Sequence, residues 1–382
     1  MGSEMCIRDR RYLSHELTSL RTQPSADLSA MDGYAIGPQR PADDCWKLVG
    51  ESRAGTPWNG SVGAGETIRI STGAHMPVGA DRVLIQENVA ADGEQVRLTS
   101  DYPDALRHVR QRGFDFAAGD ALIDAGTCLN AAHIALAASA GHSSLTAGKP
   151  PKVAILDSGD ELVADPASAS EHELPASNGI MLNAMLAQLG CETVPLGPVG
   201  DDAAALAEAL KGAEDADLLV TTGGASVGDH DLMKPALEAW GAELQFWRVA
   251  MKPGKPVMVA RRTSEAGRKQ AIFGLPGNPV SAYVTAFLFV LPFVRASMGA
   301  ANPALRPARM VTSMPLPAVG PRREFVRGFW DGTSVAIVGS QDSSALAALA
   351  SANCLIDRPA HAPELPAGKT VPTYWLGDSS AA

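Results

Sequence analysis

Leu218-Leu219-Val220-Thr221-Thr222-Gly223-Gly224-Ala225-Ser226-Val227-Gly228-Asp229-His230-Asp231 runs from a short apolar strand into a glycine-rich turn. A helical pattern follows and stops at Gly241. A strand that hands over to a helix through glycines is the unit of a parallel sheet, whose carboxyl edge is where such sheets bind ligands. The glycines let the backbone approach a ligand closely, and free amides at a helix start favour an anion. Ser226 adds a hydroxyl donor, and Asp231 adds a carboxylate able to hold a hard cation such as Mg2+. The same residues also read as an ordinary turn in which Asp231 caps the helix.

The flanking sequence repeats the pattern. Val153–Leu156 reads as a buried strand. Asn178 can cap a helix whose apolar face is Leu182, Met185, Leu186 and Leu189, with Gly190 as its stop. Asp201 or Asp202 caps a second helix that runs to Gly212. Strands at Leu244–Val249, Val257–Ala260 and Ala271–Phe273 lead to a last helix after Pro279. The spacing predicts an α/β domain over residues 149–298: a central doubly wound, mostly parallel sheet covered on both faces.

On either side the texture changes. Residues 1–148 carry short β-like runs such as Thr67–Ser71 and Arg82–Gln86 between turn signals, with a β-rich part at 30–114 and an alanine-rich helical stretch at Ala131–Ala140. Residues 303–378 begin among five prolines and read as a small β domain. The first ten residues, MGSEMCIRDR, lack apolar periodicity and read as a cloning or sequencing scar. The fold class expected is therefore multidomain α/β, with a β-rich N-terminal part and a small β C-terminal domain.

Composition narrows the function classes. The 382 residues are 46% hydrophobic and 19% charged, enough apolar content for real cores. A net charge of −10 argues against a nucleic-acid or anionic-membrane surface. Five cysteines, scattered and without a C-x-x-C, point to reduced thiols and a cytoplasmic setting. The most apolar run, Val280–Val294, contains Pro292 and is short for a membrane span, so it reads as a buried helix.

Three further loops carry candidate chemistry. Asp157-Ser158-Gly159-Asp160-Glu161-Leu162 follows the first strand and places a hydroxyl and carboxylates at the same sheet edge. Glu161 and Asp231 could face one crevice and share a metal ion, although a solvated acidic loop reads equally well. Met251-Lys252-Pro253-Gly254-Lys255-Pro256 sets two lysines around a rigid turn, as point charges for an oxyanion or as solvated side chains. Gly274-Leu275-Pro276-Gly277-Asn278-Pro279-Val280-Ser281 specifies a fixed backbone that can shape a pocket or simply start a helix. Together these loops suit a metal-assisted reaction on a phosphorylated ligand.

These motifs, in this order, resemble those of the molybdopterin molybdenumtransferases. Ser29-Ala30-Met31-Asp32-Gly33-Tyr34-Ala35, Arg69-Ile70-Ser71-Thr72-Gly73-Ala74, Arg112-Gly113-Phe114-Asp115 and Gly339-Ser340-Gln341-Asp342-Ser343-Ser344 resemble further elements of that family. The resemblance covers nearly the whole chain after about residue 20. It implies a homodimer that binds adenylylated molybdopterin and molybdate, needs Mg2+, releases AMP and delivers molybdenum on the pterin dithiolene. An upstream molybdopterin adenylyltransferase and recipient molybdoenzymes are the implied partners; nucleic acid and membrane are not.

Carried over by position, the resemblance assigns Glu161 and Asp231 to the metal. Gly223, Gly224, Ser226 and Gly228 would cradle the phosphate and pterin, and Lys252 and Lys255 would hold oxyanion oxygens. Pro276, Gly277, Asn278, Pro279 and Ser281 would shape the pocket. Asp32, Thr72 and Asp115 would come from the N-terminal part, and Asp202 or Asp201 from the α/β domain. Arg323, Arg322 or Arg327, with Ser344 or Ser343, would contribute an oxyanion contact. The chain departs from the family pattern in the segment before Ser29, where the usual first helix is missing, and at Ser158, where threonine is commoner. Two other readings stand beside the transferase: an adenylyltransferase sharing the α/β domain, and a non-catalytic molybdopterin-binding scaffold.

Overall fold

The computed structural model describes residues 11–224 and 232–377. They form two compact units. One comprises His15–Ala125 with Leu129–Thr146; the other comprises residues 11–14, Gly126–Cys128 and everything from Ala147 onward.

The first unit is built on a six-stranded sheet of β1 (Gly33–Ile36), β2 (Cys45–Ser52), β3 (Glu66–Ile70), β4 (Arg82–Ile85), β5 (Val89–Asp92) and β6 (Gln95–Leu98). The strand order is β4-β1-β3-β2-β6-β5. Alternation puts Tyr34 and Ile36 on one face with Trp46, Leu84 and Val96, and Ala35 on the other with Ile68, Ile70 and Val83. Gly33 is required inside β1, because a Cβ there would stand 1.9 Å from the Leu84 carbonyl oxygen. The alanine-rich stretch forms α1 (Ala131–Ser139), capped by Asn130, whose side chain accepts from the His133 N–H.

The second unit contains the α/β layer. Its strands are β7 (Lys152–Asp157), β8 (Glu192–Pro195), β9 (Leu218–Thr222), β10 (Glu243–Trp247), β12 (Met258–Thr263) and β13 (Lys269–Leu275); β11 (Met251–Lys252) belongs to a neighbouring sheet. The order is β8-β7-β9-β13-β12-β10. The first four strands are mutually parallel, whereas β12 and β10 are antiparallel additions at the far edge. The doubly wound reading holds, and its physical sign is visible in β7. Val153 and Ile155 pack into one apolar cluster, and Ala154 and Leu156 into the other. Val153, Ile155 and Leu156 each contribute about 1.5–3 kcal/mol on full burial.

Helices α2 (Ser177–Ala187) and α3 (Ala203–Lys211) cover opposite faces. Leu206 and Leu210, one turn apart, bury the inner side of α3, and Asp202 caps it by accepting from the Ala204 and Ala205 N–H groups at 3.0 and 2.8 Å. Asn178 corrects the sequence reading: Ala176 occupies the cap position of α2, and the Asn178 side chain is buried instead. After α4 (Met233–Ala239), α5 (Pro279–Thr285) and α6 (Leu291–Ser297) are joined through a π turn over Ala286–Val290. The Leu291 N–H bonds back to the Ala286 carbonyl, which makes room for the missing N–H of Pro292. The span Pro279–Ser297 is the one helix among the described residues long and apolar enough to cross a membrane, and 61% of its most apolar window is buried within the protein. It is a core helix, as its sequence suggests.

The C-terminal residues add β14 (Ala308–Val311), β15 (Arg323–Trp330), β16 (Val335–Ile337), β17 (Cys354–Arg358) and β18 (Thr370–Trp375). Their sheet runs β11-β15-β17-β18-β14, with β16 paired to β15. The Lys252 segment is thus an edge strand of this sheet, with Lys252 in register with Glu324.

Candidate active site

Three strand ends meet at the carboxyl edge of the parallel strands. Asp157-Ser158-Gly159 leaves β7, Thr222-Gly223-Gly224 leaves β9, and Pro276–Pro279 leaves β13. The loops touch closely. The Ser158 N–H donates to the Thr222 carbonyl at 2.9 Å. Gly223 has φ +83°, and a Cβ there would lie 2.1 Å from the Ser158 carbonyl oxygen, so only glycine lets the two loops close. A Cβ on Gly277 would touch Gly223 Cα at 3.5 Å.

Between them opens a cleft of about 820 Å³. Asp157, Ser158, Glu161 and Asp201 line one part of it, and Gly223, Gly224, Asn178, Pro276, Gly277, Asn278 and Pro279 another. Ser344 and Leu346, on the segment after β16, complete the wall. Among the described lining residues there is no lysine, arginine or histidine. The polar donors and acceptors on offer are carboxylates, hydroxyls, side-chain amides and backbone groups.

The acidic residues of the wall are held in different ways. Asp201 Oδ1 accepts from Ser158 Oγ at 2.8 Å, and its own N–H donates to Asp160 Oδ1 at 2.8 Å. The Glu161 carbonyl accepts from the Leu174 N–H at 2.7 Å, which ties the acidic loop to the short ladder Leu162–Val163 with Leu174–Pro175. Asp157 is buried, with Oδ1 accepting from Thr222 Oγ1 at 2.6 Å and Oδ2 from the Gly179 N–H at 2.8 Å. Burial pushes its carboxyl above the usual carboxylate range, and those two donors only partly offset the shift.

The proline-glycine loop is clamped from the C-terminal sheet. Asn278 Nδ2 donates to Ser343 Oγ at 3.0 Å, and the Val280 N–H donates to the Ser343 carbonyl at 3.1 Å. The Ser343 segment is itself gripped by Arg327, fully buried, whose guanidinium donates to the carbonyls of Ser340 and Asp342. Burial lowers the Arg327 pKa from its ordinary value.

The residues expected from sequence fall into several groups. Glu161, Gly223, Gly224, Pro276, Gly277, Asn278, Pro279 and Ser344 line one cleft. Asp202 does not; it is the α3 cap, and its neighbour Asp201 lines the cleft. Ser281 is buried in α5, where its carbonyl accepts from Thr285 Oγ1 at 2.7 Å. Arg323 makes a two-pronged pair with Asp357, at 2.7 and 2.5 Å, and does not line the cleft. Lys252 and Lys255 are exposed; Lys252 pairs with Glu324 at 3.3 Å, and Pro256, beside Lys255, is a lining residue.

Ser226, Gly228 and Asp231 lie outside the described residues. Among the described residues no group of three or more histidine, cysteine, aspartate or glutamate side chains converges. Asp32, Thr72 and Asp115 lie in the first unit. There Asp32 Oδ1 accepts from the Thr72 N–H at 2.6 Å and its hydroxyl at 3.0 Å, bonds that hold the carboxyl below its usual range. Asp115 is exposed, and its N–H donates to the Gln23 carbonyl. Sequence reasoning took Asn178 only as a helix cap and gave Ser343 only second place. A polar side chain just ahead of an apolar helical pattern was the available signal for the first, but it reads equally as a helix cap.

Comparison with known proteins accounts for this arrangement. Three family profiles match in order: "MoeA N-terminal region (domain I and II)" over residues 4–141, "Probable molybdopterin binding domain" over 154–296, and "MoeA C-terminal region (domain IV)" over 309–376. The first begins within the first ten residues, the stretch that reads as a scar from its lack of apolar periodicity. A molybdopterin molybdenumtransferase of Haemophilus influenzae is 33% identical over 373 residues, covering 94% of this chain and 90% of that protein. One of Bacillus subtilis is 30% identical over 380 residues, covering 94% and 86%. The molybdopterin biosynthesis moeA protein of Pyrococcus horikoshii superposes with a TM-score of 0.83 over 98% of this chain and 94% of its own, at 23% identity, a likeness of fold. With matches of this reach along nearly its whole length, the chain belongs to the molybdopterin molybdenumtransferase family.

Proposed function

We propose that this chain inserts molybdate into adenylylated molybdopterin and releases AMP, acting as a cytoplasmic, Mg2+-dependent homodimer. The observation that carries the reading is the cleft itself. Three glycine- or proline-shaped loops at the carboxyl edge of a parallel sheet bring backbone groups and carboxylates to one place. The match of further family profiles on both sides of the α/β part favours a molybdenumtransferase over an adenylyltransferase of one domain.

The donor set fits a hard cation. Glu161 and Asp201 present carboxylates to the cleft and Ser158 a hydroxyl, all oxygen ligands. An anionic ligand entering this acidic cleft needs its charge offset, and a bound divalent ion would supply that. Glu161, with Asp231, would hold it.

The remaining work falls to the chain's own groups. The Gly223-Gly224 turn lets the backbone approach the ligand where a side chain would block it. Pro276 and Pro279 keep the facing wall rigid, so the reacting groups are held rather than found by diffusion. Lys255 would add a point charge at the rim for molybdate oxygens. Lys252 would do so only by exchanging its ion pair with Glu324.

The test is release of AMP from adenylylated molybdopterin with molybdate, followed across a Mg2+ titration. Release that rises with Mg2+ and falls about 100-fold in Glu161→Ala agrees with the reading. Release that ignores Mg2+ and Glu161 contradicts it.

A further inference from the structure

Asn178 sits at the cleft with its hydrogen bonds half made. It is 9% exposed and lines the same wall as Gly277 and Pro276. Its Nδ2 donates to the Gly277 carbonyl at 2.7 Å and to Thr222 Oγ1 at 3.3 Å. Its Oδ1 is buried and meets no donor among the described residues.

The amide cannot turn over to cure this. The Gly277 carbonyl only accepts, so the nitrogen must face it. Thr222 gives its own proton to Asp157 Oδ1 at 2.6 Å, so its oxygen is left as an acceptor for Asn178. Both protons of Nδ2 are thereby spent, and a flipped amide would set two carbonyl oxygens against each other. The Gly179 N–H serves Asp157, and Pro276 and Pro279 have none to give. A buried acceptor left without a donor is costly, and native proteins keep one where a ligand or water supplies the partner.

The chemistry of that partner is constrained. Phosphate and molybdate offer acceptor oxygens and negative charge, which a carbonyl lone pair beside the Asp157 network repels. The partner must bring a hydrogen-bond donor, and the ring systems of the ligand offer N–H groups. Adenine has a single exocyclic amine, whereas the pterin edge carries an amine and a ring N–H side by side. We propose that Asn178 Oδ1 accepts a hydrogen bond from an N–H on the pterin edge of bound molybdopterin, which makes Asn178 a specificity-determining residue. The inference rests on the molybdopterin reading of the cleft.

Dissociation constants for molybdopterin and for AMP, measured separately by anaerobic calorimetry, test it in the unaltered protein and in Asn178→Ala. The alanine variant should bind molybdopterin about tenfold or more weakly and AMP within about twofold of the original. Unchanged molybdopterin binding overturns the inference. So does an equal loss for both ligands, the mark of a displaced Pro276–Pro279 loop, and so does a loss confined to AMP, the mark of adenine at this acceptor. If the alanine variant does not fold, the unaltered protein decides the matter with free pterin and a pterin N-methylated along its donor edge as competitors. The blocked pterin should compete about tenfold more weakly; equal competition overturns the inference. Failure of the unaltered protein to bind either ligand overturns the reading of the cleft and this inference with it. Binding that is indifferent to Asn178 overturns the inference alone.

Discussion

Asp157 shows how burial turns a common residue into a pH-sensitive one. Its carboxyl is held above the usual range by desolvation, so the folded protein keeps that proton at a pH where the unfolded chain has released it. The folded state then binds more protons, and stability falls as pH rises from the ordinary carboxylate value through the raised one. Above that window the loss is complete and constant. Replacing Asp157 by asparagine removes this term. Urea midpoints compared between pH 4 and pH 8 should show the asparagine variant gaining on the unaltered protein across the window and then running parallel to it. A difference that does not change with pH would refute the assignment. Asp157 also marks the limit of sequence reading at this scale: the acidic loop was visible, but nothing in its spelling separates the buried Asp157 from the exposed Glu161. Asn178 was misassigned for a related reason. Its suitability as a cap is local chemistry, and its burial against Thr222 and Gly277 depends on strands far away in sequence.

At the scale of elements, the sequence was most legible where periodicity and glycine placement agreed. Leu206 and Leu210 with Asp202 ahead of them specify α3, and the Leu218–Thr222 strand with its glycines specifies the central turn. The antiparallel pair β12 and β13 was not legible, because a short apolar run does not state its direction. Gly223→Ala tests the turn. The added methyl meets the Ser158 carbonyl at 2.1 Å and sits at a φ that alanine avoids, so a loss of about 2–4 kcal/mol in unfolding free energy is expected, together with loss of ligand binding. Chemical denaturation checks the first and calorimetry the second; a variant of unchanged stability would show that the loops are not closed in this way. The long helix offers a second check. Phe287 is 3% exposed on the π turn and stacks on Tyr283 at a ring separation of 6.4 Å. Phe287→Ala should cost about 3–5 kcal/mol, whereas a surface or membrane-facing helix would lose far less.

Across the whole molecule, the alternation of strand and helix between Lys152 and Ser297 announced the α/β layer, and proline and glycine density announced the β-rich flanks. The membership of β11 in the C-terminal sheet was not legible, since two residues inside a Pro-Gly turn carry no strand pattern. Thiol chemistry reports on the packed whole. Among the described residues the cysteines form no disulfides, and burial pushes the Cys191 thiol up to about 11 and the Cys354 thiol up to about 12. Both should resist an aromatic disulfide reagent at pH 8 in the native protein and react once it is unfolded. Rapid native labelling of either would place it outside the cores assigned here.

The most direct measurement is reconstitution of a cofactor-free molybdoenzyme after this protein has been incubated with adenylylated molybdopterin, Mg2+ and molybdate. The account predicts that the recipient enzyme becomes active, and that Glu161→Ala abolishes the activation while leaving the fold intact by circular dichroism. Binding of the pterin nucleotide with no activation at saturating molybdate would contradict it.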